Sequence, residues 1–108
     1  MKRFHIAIST NSIEKSVADY TRRLGAAPCL VVPGEYALWR TDGLNVSIRQ
    51  DSGAAPGSLR HLGWEDPQAI AFTQDVDVNG IVWEQFNADH QAGEIRALWP
   101  EAGYQPEV

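Results

Sequence analysis

Polar and apolar residues alternate at the start of the chain. Apolar residues at positions 4, 6 and 8 alternate with His5, Ala7 and Ser9. A period of two is typical of a β-strand whose two faces meet different surroundings. The pattern therefore predicts a strand with one apolar face and one face on which a histidine can line a cavity.

An amphipathic helix is predicted directly after this strand. Asn11 is placed to cap the helix, and Glu14 lies three residues further on, where it can reach back to the cap. Apolar residues then recur at helical spacing, at Ile13, Val17, Tyr20 and Leu24. Gly25 can end the helix in the left-handed conformation. We expect the helix to cover the apolar face of the first strand.

A short strand and a hairpin are predicted next. Residues 28–32 form an apolar run that Pro33 and Gly34 close. Asp42-Gly43 is a favoured two-residue turn, and it lies between the predicted strands 36–41 and 44–50. The second of these strands has apolar residues at positions 44, 46 and 48. Its polar residues, on the face that should match His5, are Asn45, Ser47 and Arg49.

The second half begins after residues 51–58, which have no periodicity and the composition of a flexible link. Residues 59–65 predict a strand with His61 and Glu65 on one face and Arg60 and Trp64 on the other. Residues 69–76 and 81–87 predict a hairpin around Asn79-Gly80. A helix is expected from residue 88 onward, although a glycine at position 93 weakens it.

Glu84 is the unusual residue of the last predicted strand. It shares a face with Val82 and Phe86, although burying an unpaired carboxylate between apolar neighbours is costly. Glu84 therefore needs a partner, such as a cation. Of the other titratable residues, His90 is expected at the surface, and Cys29 is expected to be a buried structural thiol.

Length and charge narrow the class of protein. The 108 residues suit one domain, with a first module at about residues 3–50, the link 51–58 and a shorter second module at 59–108. A formal net charge of −5 with scattered basic residues argues against nucleic acid and membrane partners and favours a small molecule. One cysteine, with neither a secretory signal nor a long apolar span, predicts a cytoplasmic protein.

Three segments, in this order, resemble the vicinal oxygen chelate superfamily, which includes glyoxalase and the bleomycin and fosfomycin resistance proteins. They are HIAISTNSIEKSVADYTRRLG, RHLGWE and DVNGIVWEQF. The resemblance implies an α+β fold in which a glyoxalase-like βαβββ module is followed by a shortened second module with a C-terminal helix. Curved sheets of this kind surround a metal-bearing cavity.

The resemblance carries over His5, His61 and Glu84 as ligands of a divalent iron, manganese, zinc or nickel ion. Such a set leaves positions open for a substrate with two adjacent oxygens. The metal could then support isomerisation, epoxide opening or oxidative cleavage. Glu84 is also a candidate catalytic group, and Glu65, on the predicted His61 face, is a candidate base or substitute ligand.

The chain departs from the family in two places. Members with four ligands have a glutamate on the fourth strand, where this chain has only Asn45, Ser47 or Arg49, so a three-ligand site is expected. Arg49 could bind an anionic group of the substrate, and Asn45, Ser47 and Trp39 are further candidate substrate-binding residues. Only 23 positions separate His61 from Glu84, too few for the usual helix and extra strand. The C-terminal helix could fill that gap, from its own chain or from a partner.

Three functions remain open from the sequence. The chain could be a metal-dependent lyase, isomerase, transferase or dioxygenase, a metal-free protein that sequesters an aromatic drug, or a domain that only binds a partner. Whether it is an enzyme is therefore undecided. A homodimer is expected because the short second half leaves sheet edges uncovered. By the resemblance, His5 of one chain would join His61 and Glu84 of the other.

Overall fold

The computed structural model describes residues 1–106 and shows an α+β fold with one mixed sheet of seven strands. The strands are β1 (Arg3–Thr10), β2 (Leu30–Val32), β3 (Tyr36–Arg40), β4 (Leu44–Gln50), β5 (Leu59–Glu65), β6 (Thr73–Val76) and β7 (Val82–Phe86). The helices are α1 (Ile13–Leu24) and α2 (Ala88–Leu98), and a 3-10 turn follows at Pro100–Ala102. Within residues 1–106, neither helix is long and apolar enough to cross a membrane.

The second half of the sheet repeats the first half in a shorter form. The strand order is β2-β3-β4-β1-β5-β7-β6. In the first half β1 pairs in parallel with β4, which forms a hairpin with β3. In the second half β5 pairs in parallel with β7, which forms a hairpin with β6. The antiparallel pair of β1 and β5 joins the two halves, as expected for a complete module followed by one without its helix and extra strand.

Helix α1 begins one residue later than the sequence predicted. The N-cap is Ser12, whose hydroxyl accepts a hydrogen bond from the backbone N–H of Lys15, so the prediction of Asn11 as the cap is wrong. This start places Ile13 in the first turn, where its side chain is buried in the core. The predicted end is confirmed, because Gly25 has φ 68° and its N–H donates to the carbonyl of Thr21.

The two helices pack on opposite faces of the sheet. Helix α1 covers the face of Ile8 and Trp39, as predicted from the alternation in β1. Helix α2 covers the other face, where Ala92 and Ile95 pack against Leu38. Leu38 pairs with Ser47, so α2 lies over the polar face that carries His5. The C-terminal helix therefore does not take the place of the missing helix between β5 and β6.

Cys29 is exposed, so the prediction of a buried thiol is wrong. Two local features of the second half also differ from the sequence-based expectation. Strand β6 begins at Thr73 rather than at residue 69, because the Asp66 carboxylate accepts the backbone N–H of Gln68 and turns the chain after β5. His90 is partly buried rather than a simple surface residue. Its Nδ1 accepts the backbone N–H of Asn87 and completes a capping box at the start of α2.

Candidate metal centre

Three neighbouring strands bring His5, His61 and Glu84 together in one chain. One ligand atom from each residue lies within 4.8 Å of the others. The Nε2 atom of His61 is 3.0 Å from Nε2 of His5 and 3.0 Å from Oε1 of Glu84. The sequence placed these residues on cavity-facing strand positions, and the structure joins them. Because a single chain supplies all three, the expected sharing of ligands between two chains is wrong.

Gly63 lies between two of these residues and allows them to approach. It pairs with His5 on one side and with Glu84 on the other, on the same face of the sheet. A Cβ atom at Gly63 would lie only 2.9 Å from the carbonyl carbon of Glu84. A side chain here would push β7 away from β5, so the close approach of the strands requires glycine.

A chain of buried hydrogen bonds fixes the protonation of His5. Glu65 is paired with two arginines, so it is ionised and can only accept hydrogen bonds. The Asn45 side chain must therefore turn its amide nitrogen towards Glu65, and the distance from Asn45 Nδ2 to Glu65 Oε1 is 2.8 Å. The Asn45 Oδ1 atom therefore faces His5 Nδ1, at 2.9 Å. The backbone oxygen of Asn45 is also an acceptor for Nδ1, at 3.1 Å. His5 Nδ1 must carry the proton, which leaves a lone pair on Nε2.

The resulting arrangement fits a divalent metal ion. His5 Nε2 and the Glu84 carboxylate are both acceptors directed at His61 Nε2. A proton on His61 Nε2 can form a good hydrogen bond with only one of these two acceptors. A metal cation at this point would instead bind His5, His61 and Glu84 together. Two ligands bound at right angles at about 2.1 Å from a metal lie about 3.0 Å apart, which matches the two separations that involve His61 Nε2. Two imidazoles and one carboxylate are also a suitable donor set for iron, manganese, zinc or nickel.

The surroundings of His5 favour its neutral, metal-binding form. Its side chain is only 2 % exposed. Burial, and then the nearby imidazole of His61, lower the pKa of His5 below its ordinary value, although hydrogen bonds with Asn45 act in the opposite direction. His5 therefore holds a proton less readily than an exposed histidine, so protons compete less with a metal ion for it.

The three residues line a small cavity, of about 120 Å³, between the sheet and α2. Gln91, Glu94 and Ile95 of α2 form part of its wall, and Arg60 lies among its lining residues. The sequence had placed Arg60 on the opposite face from His61. A register shift between Ala7 and Ile8 pairs Ile8 with Leu59 and skips Arg60. This β-bulge breaks the strict alternation and brings Arg60 to the cavity.

The other predicted site residues divide into two groups. Ser47 and Arg49 line the cavity. Asn45 is fully buried behind His5, where its side chain bonds to Glu65 and Gln91, so the structure does not place it against a substrate. Trp39 is fully buried on the α1 face and packs near Tyr20, so it does not reach the cavity either.

Glu65 is held in a buried ion cluster rather than presented to the cavity. Arg40 binds it with two nitrogens, at 2.8 and 2.9 Å, and Arg3 binds it at 2.7 Å. Burial alone would raise the pKa of Glu65, but the hydrogen bonds of Arg40 and Asn45 and the charges of the arginines outweigh it and lower the pKa to about 2. Such a carboxylate is a poor base and has no room for a metal, so the structure argues against both roles predicted for Glu65.

Three residues near the cavity were missed from the sequence. Arg60 was hidden by the bulge, and Gln91 by its place in a helix with no visible relation to the strands. Glu94 was overlooked for the same reason. Burial and the negative charge of Glu84 raise the pKa of Glu94 above its ordinary value, so it is a cavity carboxyl that can hold a proton more readily than a surface glutamate.

Comparison with known proteins supports the fold but identifies no family. No protein-family model and no curated protein matches the chain. Among solved structures, the chain is similar to the crystal structure of NAD-dependent benzaldehyde dehydrogenase from Legionella pneumophila. The TM-score is 0.54 at 14% sequence identity, over 78% of this chain and 97% of that chain. At this identity the likeness concerns the fold alone.

Proposed function

We propose that the protein is a small member of the vicinal oxygen chelate superfamily that binds one divalent metal ion and a small oxygen-rich or anionic substrate. The observation that carries this proposal is the convergence of His5, His61 and Glu84 on one point beside a cavity. When bound, the metal would act as a Lewis acid on substrate oxygens, as a lyase, isomerase, transferase or dioxygenase requires. A single cysteine agrees with work in a reducing cytoplasm.

The residues around the metal ligands have separate tasks in this proposal. Asn45 and Glu65 keep His5 in the tautomer that presents Nε2 to the metal. Helix α2 forms one wall of the cavity and sets the space left for a substrate beside the metal ligands. Glu94 can give or take a proton at the edge of the cavity, because its raised pKa lies closer to neutral than that of an ordinary glutamate.

The size of the cavity favours this proposal over the sequestration of an aromatic drug. Pockets for drug-sized ligands usually have volumes of about 300–1,000 Å³, whereas this cavity has a volume of about 120 Å³. Trp39, the aromatic residue among the candidate substrate-binding residues, lies on the other face of the sheet. A cavity of this volume suits a substrate of a few non-hydrogen atoms better than a drug with several rings.

The proposal is tested by metal binding to the protein purified without a histidine tag. Zinc, manganese, nickel and iron(II) are titrated in turn, and binding is followed by calorimetry and by the melting temperature. At least one ion should bind with one site per chain and raise the melting temperature, because a ligand that binds only the folded state stabilises it. His61→Ala should abolish both effects.

The matched control is His90→Gln, since a glutamine keeps the capping box of α2 and lies outside the cluster of ligands. This variant should bind metal like the wild type. If no metal changes the melting temperature, or if His61→Ala responds as the wild type does, the metal site does not exist.

A further inference from the structure

Two arginines of the cavity have no carboxylate partner. Within residues 1–106, Arg3 and Arg40 pair with Glu65, and Arg22 and Arg23 pair with Asp19. Arg49 and Arg60 form no ion pair in this part of the chain, yet both line the cavity that contains the metal ligands. The two positive charges in one cavity repel each other, and an anion bound between them would relieve that repulsion.

The fold holds both arginines in place. Arg49 lies on β4, and its guanidinium lies over the ring of Trp99, with its carbon 5.5 Å from the ring centroid. Arg60 is held by the β-bulge in β5, which directs a residue to the cavity against the alternation of the strand. Both arginines line the same cavity, so their positive charges face one shared space.

The charges around the cavity indicate which anion fits. Its fixed charges are the two arginines and the carboxylates of Glu84 and Glu94. The two arginines and the two carboxylates cancel in charge. With the proposed divalent metal ion bound by Glu84, the cavity would therefore have a net charge of about +2. Guanidinium groups bind oxyanions through parallel N–H···O bonds, and two of them match a group with two negative charges.

We propose that Arg49 and Arg60 form a binding site for a doubly charged oxyanion group of the substrate, such as a phosphoryl group. This inference rests on the proposed metal-dependent function, because it names the class of substrate that would reach the metal. The arginines bind the anionic end of the molecule, and its remaining oxygens lie beside His5, His61 and Glu84. A neutral diol or ketone leaves the arginines unpaired and binds weakly.

The experiment uses sulfate as the probe, because it is a dianion at neutral pH and a weak metal ligand. Sodium sulfate is titrated against sodium chloride at equal ionic strength, without metal and with zinc. Binding is followed by calorimetry and by the NMR signals of the arginine Nε–H groups. Sulfate should shift the signals of Arg49 and Arg60, and zinc should strengthen its binding.

Arg60→Met and Arg49→Met keep an unbranched apolar side chain and remove the guanidinium charge, so each should lower the affinity for sulfate about tenfold or more. Arg60→Lys keeps the charge but lacks the planar guanidinium. Its affinity for sulfate should lie between that of the wild type and that of Arg60→Met. Arg22→Met, on the exposed surface of α1, is the control and should bind sulfate like the wild type. Thermal unfolding of every variant confirms that it is folded.

The outcomes separate this inference from the function on which it rests. Zinc binding with no sulfate binding, or sulfate binding of equal strength in the wild type and in Arg60→Met, overturns the arginine site and leaves the metal site intact. Sulfate binding that depends on both arginines, in a protein that binds no metal, supports the anion site and overturns the metal-dependent function. Loss of zinc binding in Arg60→Met would also contradict the inference, because Arg60 is not a metal ligand.

Discussion

The substitution Glu65→Gln tests the buried ion cluster on which the geometry of His5 depends. Glu65 is 2 % exposed and accepts four hydrogen bonds, from Arg3, Arg40 and Asn45. Glutamine has nearly the same shape, but it has no charge and so resembles the protonated acid. The variant therefore removes the charge of Glu65 and also replaces one of its two acceptor oxygens by an amide donor.

The magnitude follows from the pKa of Glu65. Its value is about 2 in the folded protein against an ordinary value of 4.5. A difference of about 2.5 units corresponds to about 3 kcal/mol of folding free energy. A carboxylate with a lowered folded-state pKa stabilises the protein fully above pH 4.5, and this contribution is lost as the pH falls towards 2. Glu65→Gln should thus lose about 3 kcal/mol at pH 7 and progressively less below pH 4.5.

Urea unfolding followed by tryptophan fluorescence, between pH 3 and pH 8, measures this difference. The control is Glu35→Gln, since Glu35 is exposed and its removal should change the free energy of unfolding by less than about 0.5 kcal/mol. A loss below about 1 kcal/mol at pH 7 for Glu65→Gln would refute the reasoning. So would a loss that stays constant from pH 7 to pH 3, because the effect would then not arise from the charge.

The remaining predictions concern packing and assembly. Gly63→Ala should destabilise the protein by about 2 kcal/mol or more and weaken metal binding, because its Cβ meets the backbone of Glu84. A Cβ atom at Gly93 would meet no other atom, so Gly93→Ala should stabilise α2 by up to about 1 kcal/mol. Equal melting temperatures for Gly63→Ala and Gly93→Ala would contradict this account. The protein should be a homodimer in light scattering at micromolar concentration, because β6 is an exposed edge and Trp64 and Val76 are exposed beside it. Trp64→Ser should weaken the dimer, and a monomeric mass for the wild type would exclude it.

The sequence predicted the structure best where a short local pattern is typical of one backbone conformation. Asp42-Gly43 predicted the turn between β3 and β4, and the alternation in β1 predicted that α1 and His5 lie on opposite faces. Both signals are local and follow from backbone geometry alone. The α+β class followed from the predicted hairpins and the first helix, and the shortened second half from the family resemblance and the 23 positions between His61 and Glu84.

The site was less predictable because its geometry depends on contacts between distant segments. A one-residue shift of register brought Arg60 to the cavity, and such a shift leaves no mark in the composition of β5. Glu65 looked available because its partner Arg40 lies 25 positions away on another strand. The packing of α2 over the polar face was likewise invisible, since its apolar residues could have faced either side of the sheet.

The arrangement of α2 separates the chemistry of the protein from the choice of its substrate. The proposed metal ligands all lie on β1, β5 and β7, whose positions are fixed by a continuous network of backbone hydrogen bonds. The opposite wall of the cavity is one helix, whose exposed Leu98 and Glu94 line the space without contributing to the sheet. Substitutions on that wall can change the size and polarity of the space while the ligands keep their positions. A lineage of such proteins could therefore acquire new substrates by altering one short segment of the chain.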